Sequence, residues 1–405
     1  MAIEPYRRLL ALPGVRTLLI VGLVARIPST AMGLTLTLHV NKSLGLGWFE
    51  AGAVGTATTV GMAVGSPLAG RFVDRYGLRP VLVVTGLAQL VFWASAWALP
   101  YPALLVASAV AGLLGLPVFS VIRQCLAAMV PVEQRRTGFS LDSMLVELSY
   151  MAGPALATAG TVALGSTWTM CLVATGLAGS AAVLVLLNPP TRSEEERKEA
   201  VEKVPRGEWL TPGLVTVLGT VSAATFILTA TELSLVATMD SAGDTAWIGL
   251  AIGVWCLYSL VGGFVYGGLP RGFSPLVLIG GMGLLTIPVG LIGGDWWWLV
   301  VALMPAGVLC APGLSSTVEA VSRWVPAGAR GEAMGLHGTA LLVGGGIAAP
   351  VAGAIIDNAG PGWAFAAAGL VGVVMVLIAL PFWRKADQRG QAGQEGVESL
   401  QAAST

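Results

Sequence analysis

Apolar runs of about 20 residues, long enough to cross a lipid bilayer, recur along the whole chain and are parted by short polar breaks. A sliding window of about 19 residues predicts one set of helices near 14–38, 48–71, 79–99, 101–124, 137–160 and 167–188. A second set follows near 211–237, 245–268, 275–293, 297–320, 331–356 and 361–383. The weakest breaks are the Pro100-Tyr101-Pro102 corner and the Gly268-Leu269-Pro270-Arg271-Gly272 turn. Between the sets, Pro189–Trp209 contains Glu194-Glu195-Glu196-Arg197-Lys198-Glu199 and reads as a linker, while the polar stretch from Lys385 reads as a disordered tail. The chain thus divides into a six-helix half (1–188), a linker (189–209), a second six-helix half (210–384) and a tail (385–405).

Composition strengthens the membrane reading. Of the 405 residues 55% are hydrophobic and 11% charged, against roughly 25% charged in a soluble domain. The 22 Lys+Arg balance 22 Asp+Glu, so no basic field points to nucleic acid. Cys125, Cys171, Cys256 and Cys310 lie far apart inside apolar runs and read as small buried residues, not as a metal cluster or disulfide framework. Tyr6-Arg7-Arg8 precedes a run long enough to span, with no clear cleavage site after it, and that run reads as the first helix. With the start of the chain inside and twelve spans, every Lys and Arg except Lys42 and the intrahelical Arg26 falls on the cytoplasmic side. That asymmetry follows the positive-inside rule. The expectation is a multi-pass protein of the cell membrane with both termini cytoplasmic.

The halves also match each other at a spacing near 195 residues. Gly77, Pro80 and Gly86 correspond to Gly272, Pro275 and Gly281, and Pro117, Pro131 and Arg135 correspond to Pro312, Pro326 and Arg330. Gly153-Pro154 corresponds to Ala349-Pro350 with a slip of one. Parallel six-helix repeats place a substrate cavity between the halves near mid-membrane.

Between the second and third spans stands Gly70-Arg71-Phe72-Val73-Asp74-Arg75-Tyr76-Gly77-Leu78-Arg79-Pro80. It resembles the loop signature of the major facilitator superfamily in Gly70, Asp74, Arg75, Gly77 and Arg79, with Leu78 in a position that is usually basic. The resemblance implies an all-α fold of twelve transmembrane helices in two six-helix repeats. It also implies a conformational lock, with Asp74 set against the helix that begins near Gly331 and with Arg75 and Arg79 pairing locally. The equivalent second-half loop, Gly267-Gly268-Leu269-Pro270-Arg271, has no acid, so the lock is expected on one side only. Gly153-Pro154 resembles the core of a helix-packing motif in the fifth helix of bacterial drug:proton antiporters. The flanking glycines of that motif are Ser149, Ala157 and Thr158 here, and Ser108 stands about where such exporters carry an arginine.

Charges inside the bilayer are costly, about 2.5–3.5 kcal/mol on insertion scales, and should face protein or water. Arg26 lies roughly 18 Å into its helix and Glu147 roughly 15 Å into the fifth, each on a mildly polar stripe; Tyr150 and Met151 belong to the second of these. The pair is either structural or takes part in proton coupling and substrate binding. Glu232 ends a stripe of Ser222, Thr225 and Thr229 and is either a cavity carboxylate or a wetted rim residue. Asp142 and His337 correspond at the repeat spacing. Arg123 and Glu319 occupy nearly equivalent positions near inner helix ends, where they either form a cytoplasmic gate or are ordinary end charges. No phosphate-binding, H-E-x-x-H or G-x-S-x-G motif stands out, so neither an enzyme nor a metal or other cofactor is expected, and energy must come from a gradient. The favoured reading is a monomeric, proton-coupled exporter of small amphipathic organic molecules. The alternatives are proton-coupled uptake of a small polar nutrient, mildly disfavoured by the scarcity of Asn and Gln within spans, and a non-transporting membrane receptor.

Overall fold

The computed structural model describes residues 3–193, 196, 205–244, 247–292 and 295–402, so the linker charges Glu194, Glu195, Arg197, Lys198 and Glu199 lie outside the described residues. Helices are the only regular elements among them. Short α1 (Ile3–Ala11) is followed by α2 (Val15–Leu38), α3 (Trp48–Tyr76), α4 (Leu78–Ser95), α5 (Tyr101–Leu113), α6 (Val118–Met129), α7 (Arg135–Leu164) and α8 (Ser166–Leu187). After short α9 (Arg206–Trp209) come α10 (Pro212–Ser241), α11 (Ile248–Gly268), α12 (Pro275–Thr286), α13 (Trp296–Gly307), α14 (Cys310–Trp324), α15 (Arg330–Ala359) and α16 (Pro361–Ala402).

Nine helical stretches among the described residues are long and apolar enough to cross a membrane. Three more elements complete the twelve expected spans. Pro275–Leu291 is apolar but shorter. The other two, α3 and α7, are 29 and 30 residues long but more polar, and α7 carries Arg136, Asp142 and Glu147. Along 385–402, where a disordered tail was expected, the backbone continues as helix; Ala, Gln, Glu and Lys there are good helix formers.

The predicted fourth and tenth spans are each broken. The fourth divides at 114–117 and the tenth at 308–309, equivalent places in the repeat. Pro117 has no N–H to continue the ladder, and a broken helix in a bilayer must find partners for its freed backbone groups within the protein. Buried Gln89 supplies them at the first break, donating from Nε2 to the carbonyls of Ala111 (2.7 Å) and Leu114 (3.2 Å). Trp93 Nε1 donates in turn to Gln89 Oε1 at 3.2 Å. At the second break the Ser259 hydroxyl accepts the Ala311 N–H at 3.1 Å.

The chain forms two units. The first comprises Met1–Lys203, Gly263–Gly272 and Ala327–Val343; the second comprises Val204–Gly262, Phe273–Pro326 and Gly344–Thr405. In the first, α2 packs along α7, α3 along α5, and α4 along α8. Gly153 makes the α2–α7 approach possible, since a methyl there would overlap the Thr30 hydroxyl; Thr30 Oγ1 itself donates to the Ser149 carbonyl at 2.7 Å. In the second unit α16 packs along α10 and α12, and the α12–α16 pair repeats the α4–α8 pair of the first.

Gln89→Leu should leave the Ala111 and Leu114 carbonyls without their donor, at a cost of about 1–3 kcal/mol. The expected result is a lower unfolding temperature in detergent, and an unchanged temperature would show that the break is satisfied otherwise.

Candidate functional site

Arg26 and Asp142, both at most 1% exposed, face each other from α2 and α7. Arg26 Nη2 donates to Asp142 Oδ1 at 2.7 Å, and Arg123 Nε, from α6, reaches Asp142 Oδ2 at 3.4 Å. Arg123 Nη1 lies 3.3 Å from Nδ1 of buried His337 on α15. An arginine can only donate, so His337 Nδ1 carries the lone pair in this contact. The repeat-equivalent residues Asp142 and His337 are thereby bridged by one guanidinium. The Arg26 guanidinium also sits 5.2 Å from the centroid of the Phe119 ring, a cation–π contact.

Beside this set lies a cavity of about 130 Å³, walled by the α5–α6 break and by α3, α7 and α15. Arg123, Phe119, Tyr150, Met62, Met334 and Leu341 line it. A larger groove of about 900 Å³ between α2, α7 and α8 has no ionisable residue in its wall, so it offers no coupling chemistry.

The other candidate residues are placed as follows. Glu147 is half-buried on α7, and the carboxylate that Arg26 takes is Asp142, five residues earlier. Tyr150 is in the cavity wall, 6.0 Å from Phe119 between ring centroids, and both it and Met151 are exposed. Glu232 is exposed on α10, and Glu319 is half-buried on α14; both belong to the second unit. Arg123 is buried with Asp142 and His337.

The Gly70–Pro80 segment joins α3 to α4 through Gly77, whose φ of 85° favours glycine. Asp74 stands at the start of α15, Oδ1 accepting the Gly331 N–H at 3.0 Å and Oδ2 the Glu332 N–H at 2.9 Å. First-turn N–H groups have no partner within their own helix, so the carboxylate completes the helix end and meets its positive pole. Gly70 permits the approach, because a methyl there would overlap the Gly331 carbonyl. Arg75 packs over the Tyr76 ring, and Arg79 Nε donates to the Val185 carbonyl at 3.2 Å.

Several partners escaped the sequence reading. Gln124 Nε2 donates to Asp74 Oδ1 at 2.8 Å, and Arg192 Nη2 to the Asp74 carbonyl at 3.1 Å. Arg330 grips Glu196 of the linker through two bonds of 2.9 and 3.3 Å. Burial pushes the Glu196 carboxyl up, but the Arg330 hydrogen bonds and charge and the Ser193 N–H outweigh it and hold the group below its usual value. Only the match of Arg330 with Arg135 across the repeat hinted at this.

The second-half loop is also held. Although the second-half loop has no acid, its carbonyls are held by donors from the first half. Tyr6 OH donates to Phe264 O at 2.7 Å, Thr137 Oγ1 to Gly267 O at 2.7 Å, and Arg136 Nη2 to Leu269 O. Burial pushes the Tyr6 hydroxyl up to about 12 against the pull of Arg136, so it keeps the proton it donates. The chemistry is reversed: a carboxylate meets helix N–H groups in one clamp, and donors meet helix-end carbonyls in the other.

Removing the carboxylate shared by two buried guanidiniums should be expensive, about 3–5 kcal/mol. Asp142→Asn is expected to unfold at a clearly lower temperature. Asp142→Asn with Arg26→Gln, which restores the original net charge, should recover part of the loss. Asp74, three residues beyond the predicted span, gives a pH test. Burial pushes its carboxyl from 3.8 up to about 7, against the pull of the Glu332 and Gly331 N–H groups, Gln124 and Arg192. The folded value exceeds the unfolded one, so the folded protein binds the proton more tightly. Stability from this group is full below 3.8 and declines as pH rises to about 7. The unfolding-temperature difference between wild type and Asp74→Asn should therefore shift against wild type as pH rises across that interval. A constant difference would rule out titration of Asp74.

The family model described as Major Facilitator Superfamily matches residues 18–275 and 248–404. Comparison with curated proteins finds no match. Among solved structures, the human organic anion transporter MFSD10 (TETRAN) is 16% identical with a TM-score of 0.71, covering 92% of this chain and 99% of that one. The transporter FucP in the outward conformation is 14% identical with a TM-score of 0.71, covering 91% and 98%. A bacterial homologue of the iron transporter ferroportin in the outward-facing state is 14% identical with a TM-score of 0.72, covering 92% and 99%. These structural likenesses concern the fold, and they agree with the family match over nearly the whole length. An all-helical, multi-pass membrane chain with broken helices at equivalent places in its two repeats, and with Asp74 capping the start of α15, thus belongs to the Major Facilitator Superfamily.

Proposed function

We propose that this protein is a secondary active transporter that works by alternating access and exports small amphipathic organic compounds in exchange for protons across the cell membrane, with both termini cytoplasmic. The observation that carries the reading is the buried Arg26–Asp142–Arg123 set beside an apolar cavity. Protonation of Asp142 would loosen two ion pairs on three helices at once, and a contact with two discrete arrangements is what alternating access requires. The lining favours amphipathic compounds over a sugar-like nutrient: Met62, Phe119, Met334 and Leu341 supply adaptable apolar surface, and neither Asn nor Gln is among the lining residues. Export, in preference to uptake, rests on the Gly153-Pro154 resemblance. The Asp74 clamp and the Tyr6–Arg136–Thr137 clamp would close the cytoplasmic side and release when it opens.

Proteoliposomes bearing an imposed proton gradient test the coupling. Wild type should show substrate-dependent proton flux. The double variant Asp142→Asn/Arg26→Gln, which has no titratable carboxyl at the centre of the set, should lose gradient-driven flux and retain substrate exchange. Glu147→Gln run in parallel assigns the carboxylate: loss of driven flux in Glu147→Gln alone would move the coupling role from Asp142 to Glu147.

A further inference from the structure

Two guanidiniums against one carboxylate leave one positive charge uncompensated within the Arg26–Asp142–Arg123 set, and the His337 nitrogen facing Arg123 brings a lone pair and not a proton. Arg26 is fully buried, yet its Nε and Nη1 atoms have no hydrogen-bond partner. Unmet buried donors on a cation are expensive. Arg123, only 5% exposed, forms part of the cavity wall. The rest of that wall is mainly apolar and aromatic. At about 130 Å³ the space suits a body the size of a benzene ring, which fills an apolar cavity of about 150 Å³.

From this geometry we infer that the cavity is an anion site whose ligand is a small organic monocarboxylate with a compact apolar body. Its carboxylate faces Arg123, and its body lies among Phe119, Met62, Met334 and Leu341. The inference rests on the transport reading only in calling that ligand the substrate. The excess charge selects the anion, because a cation of the same shape adds a second uncompensated charge and a neutral amide leaves the excess in place. The low dielectric of the site magnifies that difference. The short reach of the cavity selects against long-chain amphiphiles.

The test is equilibrium binding to the purified full chain in detergent, with no gradient. Benzoate, benzamide and benzylamine are compared by calorimetry and by shift of the unfolding temperature, with chloride and inorganic phosphate as further probes. Benzoate should bind and raise the unfolding temperature; benzamide and benzylamine should do neither. Arg123→Gln leaves the Arg26–Asp142 pair neutral, so it should fold while weakening benzoate about thirtyfold or more, as expected for truncating a buried charge partner. Arg123→Lys, which keeps the charge, should recover much of that loss. Asp142→Asn/Arg26→Gln keeps one net positive charge and should still bind benzoate. Equal binding of benzylamine, or benzoate affinity unmoved by Arg123→Gln, would overturn the inference. Chloride or phosphate competing as strongly as benzoate would also overturn it, in favour of an inorganic anion site. Because no gradient is involved, failure here leaves proton-driven flux untouched, and loss of flux leaves the binding result standing.

Discussion

Within hydrocarbon there is no water to accept or donate a hydrogen bond, so every backbone group that leaves a helix ladder must be met by the protein itself. Much of what is distinctive in this chain answers that constraint. Gln89 meets the carbonyls freed at the α5–α6 break, and Ser259 meets an N–H freed in the first turn of α14. At helix ends beyond the spans the same need is met by Asp74, which accepts from the first N–H groups of α15, and by Thr137, which donates to a carbonyl at the end of α11. Arg123 enters the cavity from the helix that restarts after Pro117. A break places a side chain where a continuous helix would have carried it past.

The two clamps show one physical requirement met with opposite chemistries. A helix start presents donors and a positive pole, so it is completed by an acid. A helix end presents carbonyls, so it is completed by donors. The second-half loop lost its acid without losing its attachment, because Tyr6, Arg136 and Thr137 approach from the other direction. Arg192 and Glu196 extend the first clamp into the linker, so that segment takes part in the fold as well as joining the halves.

The buried charge set follows a different economy. An ion pair removed from water recovers its desolvation only with good geometry and further hydrogen bonds. Arg26 has one short bond to Asp142 and a ring face from Phe119, but two of its nitrogens remain unmet. Such an arrangement adds little to stability compared with apolar packing of the same volume. Charge that is incompletely matched inside a low dielectric interacts strongly with any further charge brought near it.

By itself the sequence determined the spans, the repeat, the Gly70–Pro80 segment and the presence of costly charges at Arg26 and Glu147. Hydrophobic run length, proline and glycine placement and charge cost are local properties, and each is written in consecutive residues. What only the tertiary structure decided is which charges meet. Arg26 and Asp142 are 116 residues apart, and Arg123 and His337 are 214 apart. Helices of similar composition allow many rotations about their axes, and only packing chooses one. Glu147 and Asp142 lie on the same helix, and the rotation of α7 against α2 gave Arg26 to Asp142. The helix breaks were likewise hidden, because a run such as 101–124 remains apolar across Pro117 and hydropathy averages over the interruption. Gln89 is in the sequence one residue of the predicted 79–99 span, and it acquires its role from carbonyls more than twenty residues away that are bared at the α5–α6 break.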